Sequence, residues 1–202
     1  MPRCAYDLVL FDMDDVLARY EPDKRIAALA QATGRAPDHI RAAIWESDYF
    51  ALADSGEWDA QGCLDEFSRR VGAPVSRELW VATRRASLTP FSDMLALLAE
   101  LKRARVTIGL LSNNDLLALE ALDELIPGLV AEMAPHAYVS AQFRLRKPDP
   151  ALFRFVCGKI GIAPERALFV DDLAENVEGA RHARLAGHVF RNRAGLEEAL
   201  AG

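Results

Sequence analysis

The chain has 202 residues, of which 51% are hydrophobic and 27% are charged, and its formal net charge is −6 at pH 7. This is enough chain to bury a substantial core, and the composition has none of the bias that is typical of disordered or low-complexity proteins. The negative charge disfavours binding to nucleic acid or to an anionic membrane, because both require clustered basic residues.

The N-terminal segment contains no apolar run long enough for a signal peptide or a membrane span, since acidic residues directly follow Phe11. The three cysteines are far apart and form neither a metal-ligand pair nor an evident disulfide framework. These features predict a cytoplasmic protein that does not enter a membrane. A monomer and a homodimer are both compatible with the sequence.

Three short apolar runs have the length of strands and end abruptly in polar residues: Asp7–Phe11, Val106–Leu111 and Ala167–Val170. Ala137–Ala141 and Gly187–Phe190 are weaker candidates. Continuous apolar runs, as opposed to alternating ones, are typical of strands in a parallel sheet that is covered on both faces.

Amphipathic segments lie between these runs and predict helices. The clearest are Asp93–Arg103, Asp115–Leu125, Pro150–Ile160 and Glu175–Arg184. Because strands and helices alternate, the sequence predicts an α/β fold with a doubly wound, Rossmann-like parallel sheet.

Residues 18–88, which we call the helical insert, have a different pattern. They contain no convincing strand, and turn signals divide them into four amphipathic segments: Lys24–Thr33, Pro37–Ala53, Ala60–Val71 and Arg77–Ala86. This pattern predicts a small helical domain inserted after the first strand. The α/β core would then comprise residues 1–17 and 89–202.

Polar residues follow each of the three clearest strands. They are Asp12 and Asp14, Ser112 and Asn113, and Asp171 and Asp172. Lys147 lies shortly before a predicted helix start. Ligands of an open parallel sheet bind beyond the carboxyl ends of its strands, so these side chains are expected to converge at one edge.

This set of residue types suits phosphoryl transfer. Crowded carboxylates repel one another, and a hard divalent cation such as Mg²⁺ relieves that repulsion and shields a phosphate dianion. Lys147 would add a second positive charge, and Ser112 a hydroxyl donor. Asp12 and Asp14 are two residues apart at a strand end and can face the same pocket, so one can attack while the other transfers protons.

In order and spacing, these residues resemble the four motifs of the haloacid dehalogenase superfamily. The matching stretches are Phe11–Leu17, Leu111–Asn113, Arg146–Pro148 and Val170–Asn176. The helical insert resembles the small cap that members place over the active site. The stretches around the third and fourth motifs are similar to bacterial sugar-phosphate phosphatases that act on α-glucose 1-phosphate.

The resemblance implies a Mg²⁺-dependent phosphatase that hydrolyses a small phosphorylated metabolite, with a sugar phosphate as the favoured class. Asp12 would be the nucleophile and a metal ligand, and Asp14 the acid/base, with its backbone carbonyl on the metal. The other implied site residues are Ser112, Asn113 and Lys147 on the phosphoryl group, Asp171 on the metal, and Asp172 and Asn176 behind it. Whether Asp171 or Asp172 binds the metal directly stays open. The family often has glycine where this chain has Asp15.

Three other functions are compatible with parts of this pattern. A 2-haloacid dehalogenase uses the same nucleophile but needs neither Mg²⁺ nor a second aspartate, so Asp14 favours a phosphatase. A phospho-receiver domain has a similar acidic site, but its acidic residues come in a different order and it carries no helical insert. A non-catalytic binding relative is disfavoured because no catalytic position is visibly lost. Within the insert, Glu46–Trp58 combines aromatic and polar residues and is the candidate for substrate selection.

Overall fold

A computed structural model describes residues 4–202. In this range, five strands form a parallel sheet in the order β5-β4-β1-β6-β7, and two further strands form a short antiparallel ribbon. In chain order the strands are β1 (Leu8–Phe11), β2 (Ala18–Tyr20), β3 (Leu88–Pro90), β4 (Thr107–Ser112), β5 (Ala137–Val139), β6 (Ala167–Asp171) and β7 (Ala186–Val189).

Helices connect these strands and cover the sheet. They are α1 (Pro22–Thr33), α2 (Pro37–Ile40), α3 (Tyr49–Asp54), α4 (Ala60–Val71), α5 (Arg77–Ala86), α6 (Ser92–Arg103), α7 (Leu116–Glu120), α8 (Leu122–Leu125), α9 (Leu129–Met133), α10 (Pro150–Ile160), α11 (Ala174–His182) and α12 (Arg193–Ala201). A π-helical turn occupies Arg41–Trp45, and 3-10 turns occupy Ser140–Phe143 and Pro164–Arg166.

The sheet is buried on both faces, as the continuous apolar runs predict. Leu8 and Leu10 of β1 join a cluster that includes residues of α10 and α11. Val9 and Phe11 point the other way and share a second cluster with residues of α6 and α12. Because successive residues of a strand face opposite sides, a strand covered twice must be apolar throughout. The predicted doubly wound parallel sheet is confirmed.

The helical insert contains α1 to α5 and is bounded by the ribbon. β2 pairs with β3 in antiparallel register, with Ala18 opposite Pro90 and Tyr20 opposite Leu88. The prediction that residues 18–88 contain no strand is therefore wrong at both ends of the insert. Strands of three residues are too short to show a periodic pattern, and this pairing joins residues that are distant in sequence.

Two predicted helices are interrupted. Pro37–Ala53 divides into α2, the π-helical turn and α3. Between the π-helical turn and α3, the Ser47 hydroxyl bonds to the carbonyls of Ala43 and Ile44 as donor and accepts from Tyr49 N. Such local side-chain bonds compete with the helical pattern. Asp115–Leu125 divides into α7 and α8, while α9 and α12 lie outside the predicted helices.

The insert packs against the carboxyl edge of the sheet. Ser140 Oγ, just beyond β5, donates to the Asp54 carbonyl at 2.7 Å. Gly56 has a φ of 73°, and a Cβ there would lie 2.5 Å from the Ala141 carbonyl oxygen. Only glycine accommodates both the conformation and this close approach. None of the helices described has the length and apolar character needed to cross a membrane, and Cys4, Cys63 and Cys157 are free thiols.

Candidate active site

A buried ammonium group lies at the centre of the predicted site. Lys147 Nζ is 2.9 Å from Asp12 Oδ1 and 2.6 Å from Asp171 Oδ2, and the lysine side chain is only 1% exposed. Asp12 directly follows β1, and Asp171 ends β6, the neighbouring strand. The parallel topology therefore brings together side chains from three distant parts of the chain, as the sequence predicts.

The backbone around Lys147 is held from two sides. The Asn113 side chain accepts from Lys147 N at 2.8 Å and donates to Lys147 O at 3.0 Å. On the other side, α11 approaches so closely that a Cβ at Gly179 would overlap the Pro148 carbonyl oxygen. The Asn113 amide thus positions the lysine, a role that the sequence pattern did not reveal. Its expected contact with substrate stays a prediction.

Three carboxylates form an acidic group beside Lys147. Asp12, Asp171 and Asp172 each present an oxygen within 4.8 Å of the others. Asn176 Nδ2 donates to both oxygens of Asp171 at 3.1 Å, and Leu173 N donates to Oδ1 at 2.9 Å, so Asp171 is fixed in orientation. With the ammonium counted, the group carries two excess negative charges. A hard divalent cation fits this all-oxygen donor set and would neutralise it.

Burial controls the charges of these groups. It raises the pKa of Asp12 to about 6; Lys147 opposes the rise, while Asp171 and Asp14 add to it. Burial alone would lower the pKa of Lys147, but attraction to Asp12 and Asp171 outweighs it and the pKa is raised. The lysine is therefore charged, and additional positive charge at the site would favour the ionised, nucleophilic form of Asp12.

Asp14 is directed toward the helical insert instead of the acidic group. Its Oδ2 accepts a hydrogen bond from Arg84 Nη2 at 2.6 Å, and Arg84, on α5, is 4% exposed. The guanidinium packs over the Tyr20 ring at 4.1 Å from its centroid. Asp14 Oδ1 is buried and has no hydrogen-bond partner among the residues described. It is therefore an acceptor positioned for an outside group.

Arg84 is a site residue that the sequence analysis missed. The signal was its position on the buried face of α5, which it shares with Trp80 and Thr83. A charged residue on the apolar face of an amphipathic helix calls for a partner, and here the partner is Asp14.

Ser112 ends β4 and is 3% exposed. Its Oγ accepts from Asn114 Nδ2 at 3.0 Å, which orients the hydroxyl so that its own hydrogen can be donated. The residues expected at the site thus lie at the same edge of the sheet: Asp12, Asp14, Ser112, Asn113, Lys147, Asp171, Asp172 and Asn176.

A cavity of about 240 Å³ lies between the insert and this edge of the sheet, and Asp14, Asn113 and Arg84 line it. Of the segment expected to select substrate, Phe50 and Asp54 line the cavity.

Two other aromatic residues of that segment pack inside the insert. Tyr49 donates to the Cys63 carbonyl at 3.0 Å, and its ring stacks on Trp58. Trp45 and Trp80, which lie outside the segment, line the cavity instead.

Residues 6–184 match the model of the haloacid dehalogenase-like hydrolase family. This chain belongs to that family. The hydrolase is 26% identical over 195 residues to a glyceraldehyde 3-phosphate phosphatase from Methanopyrus kandleri, across 87% of this chain and 79% of the relative. A phosphatase from Mycobacterium tuberculosis also matches, with 25% identity over 90% of this chain and 85% of the relative. A shorter match, with 30% identity over 46% of this chain and 40% of the relative, is to an (S)-2-haloacid dehalogenase from Pseudomonas. The similarities to phosphatases class the hydrolase as a phosphoric monoester hydrolase.

Solved structures confirm the fold. A family member from Bacteroides thetaiotaomicron, crystallised with magnesium and inorganic phosphate, superposes with a TM-score of 0.79 at 20% identity, over 92% of this chain and 94% of that one. L-2-haloacid dehalogenase from Xanthobacter autotrophicus superposes with a TM-score of 0.64 at 22% identity, over 90% and 76%. The fold is thus shared with a family member that binds magnesium and inorganic phosphate and with a dehalogenase.

Proposed function

We propose that this hydrolase is a Mg²⁺-dependent phosphatase that acts on a small phosphorylated metabolite, with a sugar phosphate as the favoured class, through a phosphate ester of Asp12. The observation that carries the proposal is the position of the buried Lys147 ammonium between Asp12 and Asp171. A dianionic phosphoryl group needs positive charge close to the attacking carboxylate, and a hydroxyl donor, Ser112, lies at the end of the adjacent strand.

In the first step, an oxygen of Asp12 attacks phosphorus and the bond to the leaving oxygen breaks. Asp14 donates a proton to that oxygen, so the alcohol leaves neutral. Lys147 and Ser112 hold the phosphoryl oxygens during the transfer. Arg84 orients Asp14 on the side that faces the leaving group.

In the second step, Asp14 takes a proton from water, and the resulting nucleophile attacks the phosphorus of the Asp12 ester. Inorganic phosphate leaves and the Asp12 carboxylate is regenerated. One carboxylate thus acts as nucleophile and the other transfers the proton in both directions.

Asp12, Asp171 or Asp172 and the Asp14 carbonyl would hold the Mg²⁺, with Asn176 behind Asp171. When bound, the cation supplies charge neutralisation that lets the phosphate dianion approach the carboxylates. The donor set supports this assignment, since Asp12, Asp171 and Asp172 are the described acidic residues whose ligand atoms come close enough together.

We further propose that residues 18–88 act as a cap that contributes the leaving-group side of the site. The cavity between the insert and Asp14 supports this division. We also propose that the hydrolase is cytoplasmic, that it is a monomer or a homodimer, and that it does not bind nucleic acid.

The decisive experiment is phosphate release from p-nitrophenyl phosphate and a panel of sugar phosphates, with Mg²⁺ and with EDTA. We expect release that requires the metal. In parallel, 2-chloropropionate is tested for chloride release, because the fold also occurs in dehalogenases. Chloride release without ester hydrolysis would replace the phosphatase proposal, and no reaction with either class would favour a non-catalytic relative.

A further inference from the structure

The cavity between the insert and the sheet has walls of two kinds. Trp45, Phe50 and Trp80 give it apolar surfaces, while Arg25 and Arg84 bring two guanidinium groups. Asp14 and Asn113 connect it to the reacting centre, so the cavity lies where the leaving group would extend. Its volume of about 240 Å³ suits a small metabolite.

Hydrogen-bond donors in this cavity lack acceptors. Arg25 is 1% exposed, and its Nε and Nη2 have no hydrogen-bond partner in residues 4–202. The indole Nε1 of Trp80 is also buried and without a partner in that range. Buried polar groups are nearly always hydrogen-bonded, so three unmet donors on two residues lining one cavity point to an acceptor from outside the chain.

The acidic residues of the cavity wall do not supply that acceptor. Asp14 is paired with Arg84 at 2.6 Å, and Asp54 with Arg146 at 3.3 Å. Asp115 accepts from Ala118 N at 2.7 Å as the N-cap of α7. None of these carboxylates accepts a hydrogen bond from Arg25 or Trp80, although Asp14 Oδ1 also has no partner in residues 4–202.

The Arg25 guanidinium is instead surrounded by aromatic rings. It lies 4.7 Å from the centroid of Trp80, 5.3 Å from Phe67 and 5.8 Å from Trp45. These contacts favour a cation but use the faces of the guanidinium, and they leave Nε and Nη2 without acceptors in residues 4–202. Burial lowers the pKa of Arg25, although an arginine in a protein stays charged. A buried charge of this kind calls for an anion.

We propose that the leaving group of the substrate carries a carboxylate, which Arg25 binds through Nε and Nη2 with help from Trp80 Nε1. Nε and Nη2 form one edge of the guanidinium, and this edge matches the two oxygens of a planar carboxylate. The inference rests on the proposed phosphatase function and narrows it to phosphate esters of small hydroxy acids. A phosphorylated sugar acid satisfies both proposals.

The first test uses the wild-type protein and two matched pairs of esters. 3-Phosphoglycerate is compared with glycerol 3-phosphate, and 6-phosphogluconate with glucitol 6-phosphate, so that each pair differs by a carboxylate in place of a hydroxymethyl group. We expect kcat/KM to favour the acid by about 10- to 100-fold in at least one pair, the range of a charge-assisted hydrogen bond.

The second test asks whether Arg25 is responsible. In the pair of esters that shows the preference, Arg25→Gln should bring the ratio of the two kcat/KM values close to one. Arg25→Lys should give an intermediate ratio, because lysine keeps the positive charge but cannot donate two parallel hydrogen bonds to a carboxylate. Trp80→Phe keeps an aromatic side chain but removes the indole N–H, so it should lower the ratio even if the Arg25 variants fold poorly. Arg85→Gln, an exposed neighbour on α5, is the control and should keep the wild-type ratio.

The outcomes separate this inference from the function on which it rests. Turnover of p-nitrophenyl phosphate with equal kcat/KM inside both pairs would overturn the carboxylate assignment and leave the phosphatase standing. A preference for the acids that persists in both Arg25→Gln and Trp80→Phe would overturn the role of the cavity. Failure to hydrolyse any ester would overturn both proposals.

Discussion

The hydrolase contains two buried charge clusters that are built differently. In the Lys147 cluster, at the sheet edge, the ammonium contacts the carboxylates of Asp12 and Asp171 and Asn176 fixes Asp171, so these charges are paired with one another. In the insert cluster, Arg84 pairs with Asp14, but Arg25 has two N–H groups without acceptors in the part of the chain described.

This difference indicates that the two clusters have different roles, one in the reaction of all phosphate esters and the other in substrate selection. The phosphoryl group is common to all phosphate esters, so it can be bound by the fixed residues of the Lys147 cluster at the sheet edge. A carboxylate is present in only one class of phosphate esters, and the unsatisfied donors of Arg25 and Trp80 can select it. When a substrate without a carboxylate binds, these donors stay buried without an acceptor, which costs binding energy. Changes in the Lys147 cluster should therefore lower turnover of all esters, while changes in the insert cluster should alter ratios between esters or the action of Asp14.

The largest expected effect is that of Asp12→Asn. Loss of the nucleophile should reduce kcat on p-nitrophenyl phosphate and on every other ester by about 10⁴-fold or more. Wild-type protein quenched during turnover should carry acid-stable, hydroxylamine-labile phosphate at Asp12. Asp38→Asn, an exposed acid on α2, serves as the control and should retain activity. Label recovered on another residue would contradict the assignment.

Asp14→Asn should slow turnover by about 10²- to 10⁴-fold, the usual contribution of an acid/base group. With p-nitrophenyl phosphate, which has a good leaving group, the Asp12 ester should still form and then accumulate, because water is no longer activated. Rapid-quench measurement of the phosphoenzyme separates the two steps. An unchanged steady-state rate would remove Asp14 from the mechanism.

Arg84→Gln tests the link between the two clusters. The Asp14 carboxylate would lose its 2.6 Å partner and its fixed orientation, so kcat should fall by about 10- to 100-fold on all esters. The shape of the pH–rate profile should change with it, since the charge beside the acid/base group is removed. Arg85→Gln removes the same charge from the same helix at an exposed position and should change neither quantity. Equal losses in both variants would point to a general charge effect.

The smallest expected effect concerns stability at the insert side. Burial raises the pKa of Asp54 to about 7; Arg146 opposes the rise and Asp115 adds to it. The folded protein thus binds this proton more tightly than the unfolded chain, and its contribution to the free energy of unfolding falls as pH rises from about 4 to about 7.

Asp54→Asn removes this titration. The free energy of unfolding of the variant, relative to wild type, should increase by about 2 kcal/mol between pH 5 and pH 8, as measured by urea denaturation. For Asp38→Asn, at an exposed site, the corresponding difference should stay flat. A flat difference for Asp54→Asn as well would show that Asp54 ionises normally in the folded protein.

The sheet-edge cluster was accessible to sequence analysis for a topological reason. Parallel strands place their carboxyl ends together, so Asp12, Ser112 and Asp171 could be brought together without knowing any side-chain contact. The three central strands of the sheet, β4, β1 and β6, are short apolar runs and were predicted, and β5 and β7 at the edges correspond to the two weaker candidates. The order of the sheet strands along the chain and the convergence of these side chains therefore follow from local patterns and the topology of parallel strands.

The insert cluster was less accessible because it depends on packing between helices. Arg25 lies in a segment that is correctly predicted to be helical, but its burial depends on which face meets the other helices of the insert. The same applies to Arg84, whose partner is 70 positions away. The β2–β3 ribbon was missed because its pairing is equally remote and its strands have three residues each.

That ribbon has a consequence for how such enzymes diversify. Ala18 and Pro90 are paired neighbours, so the chain leaves the sheet and returns to it at almost the same point. A segment whose ends meet can be exchanged for another of different length and sequence with little disturbance of the strands that carry the reactive groups. The β2–β3 ribbon is therefore a suitable boundary for exchanging the insert, in evolution or in the laboratory. Such an exchange would change substrate selectivity and leave the catalytic residues of the sheet in place.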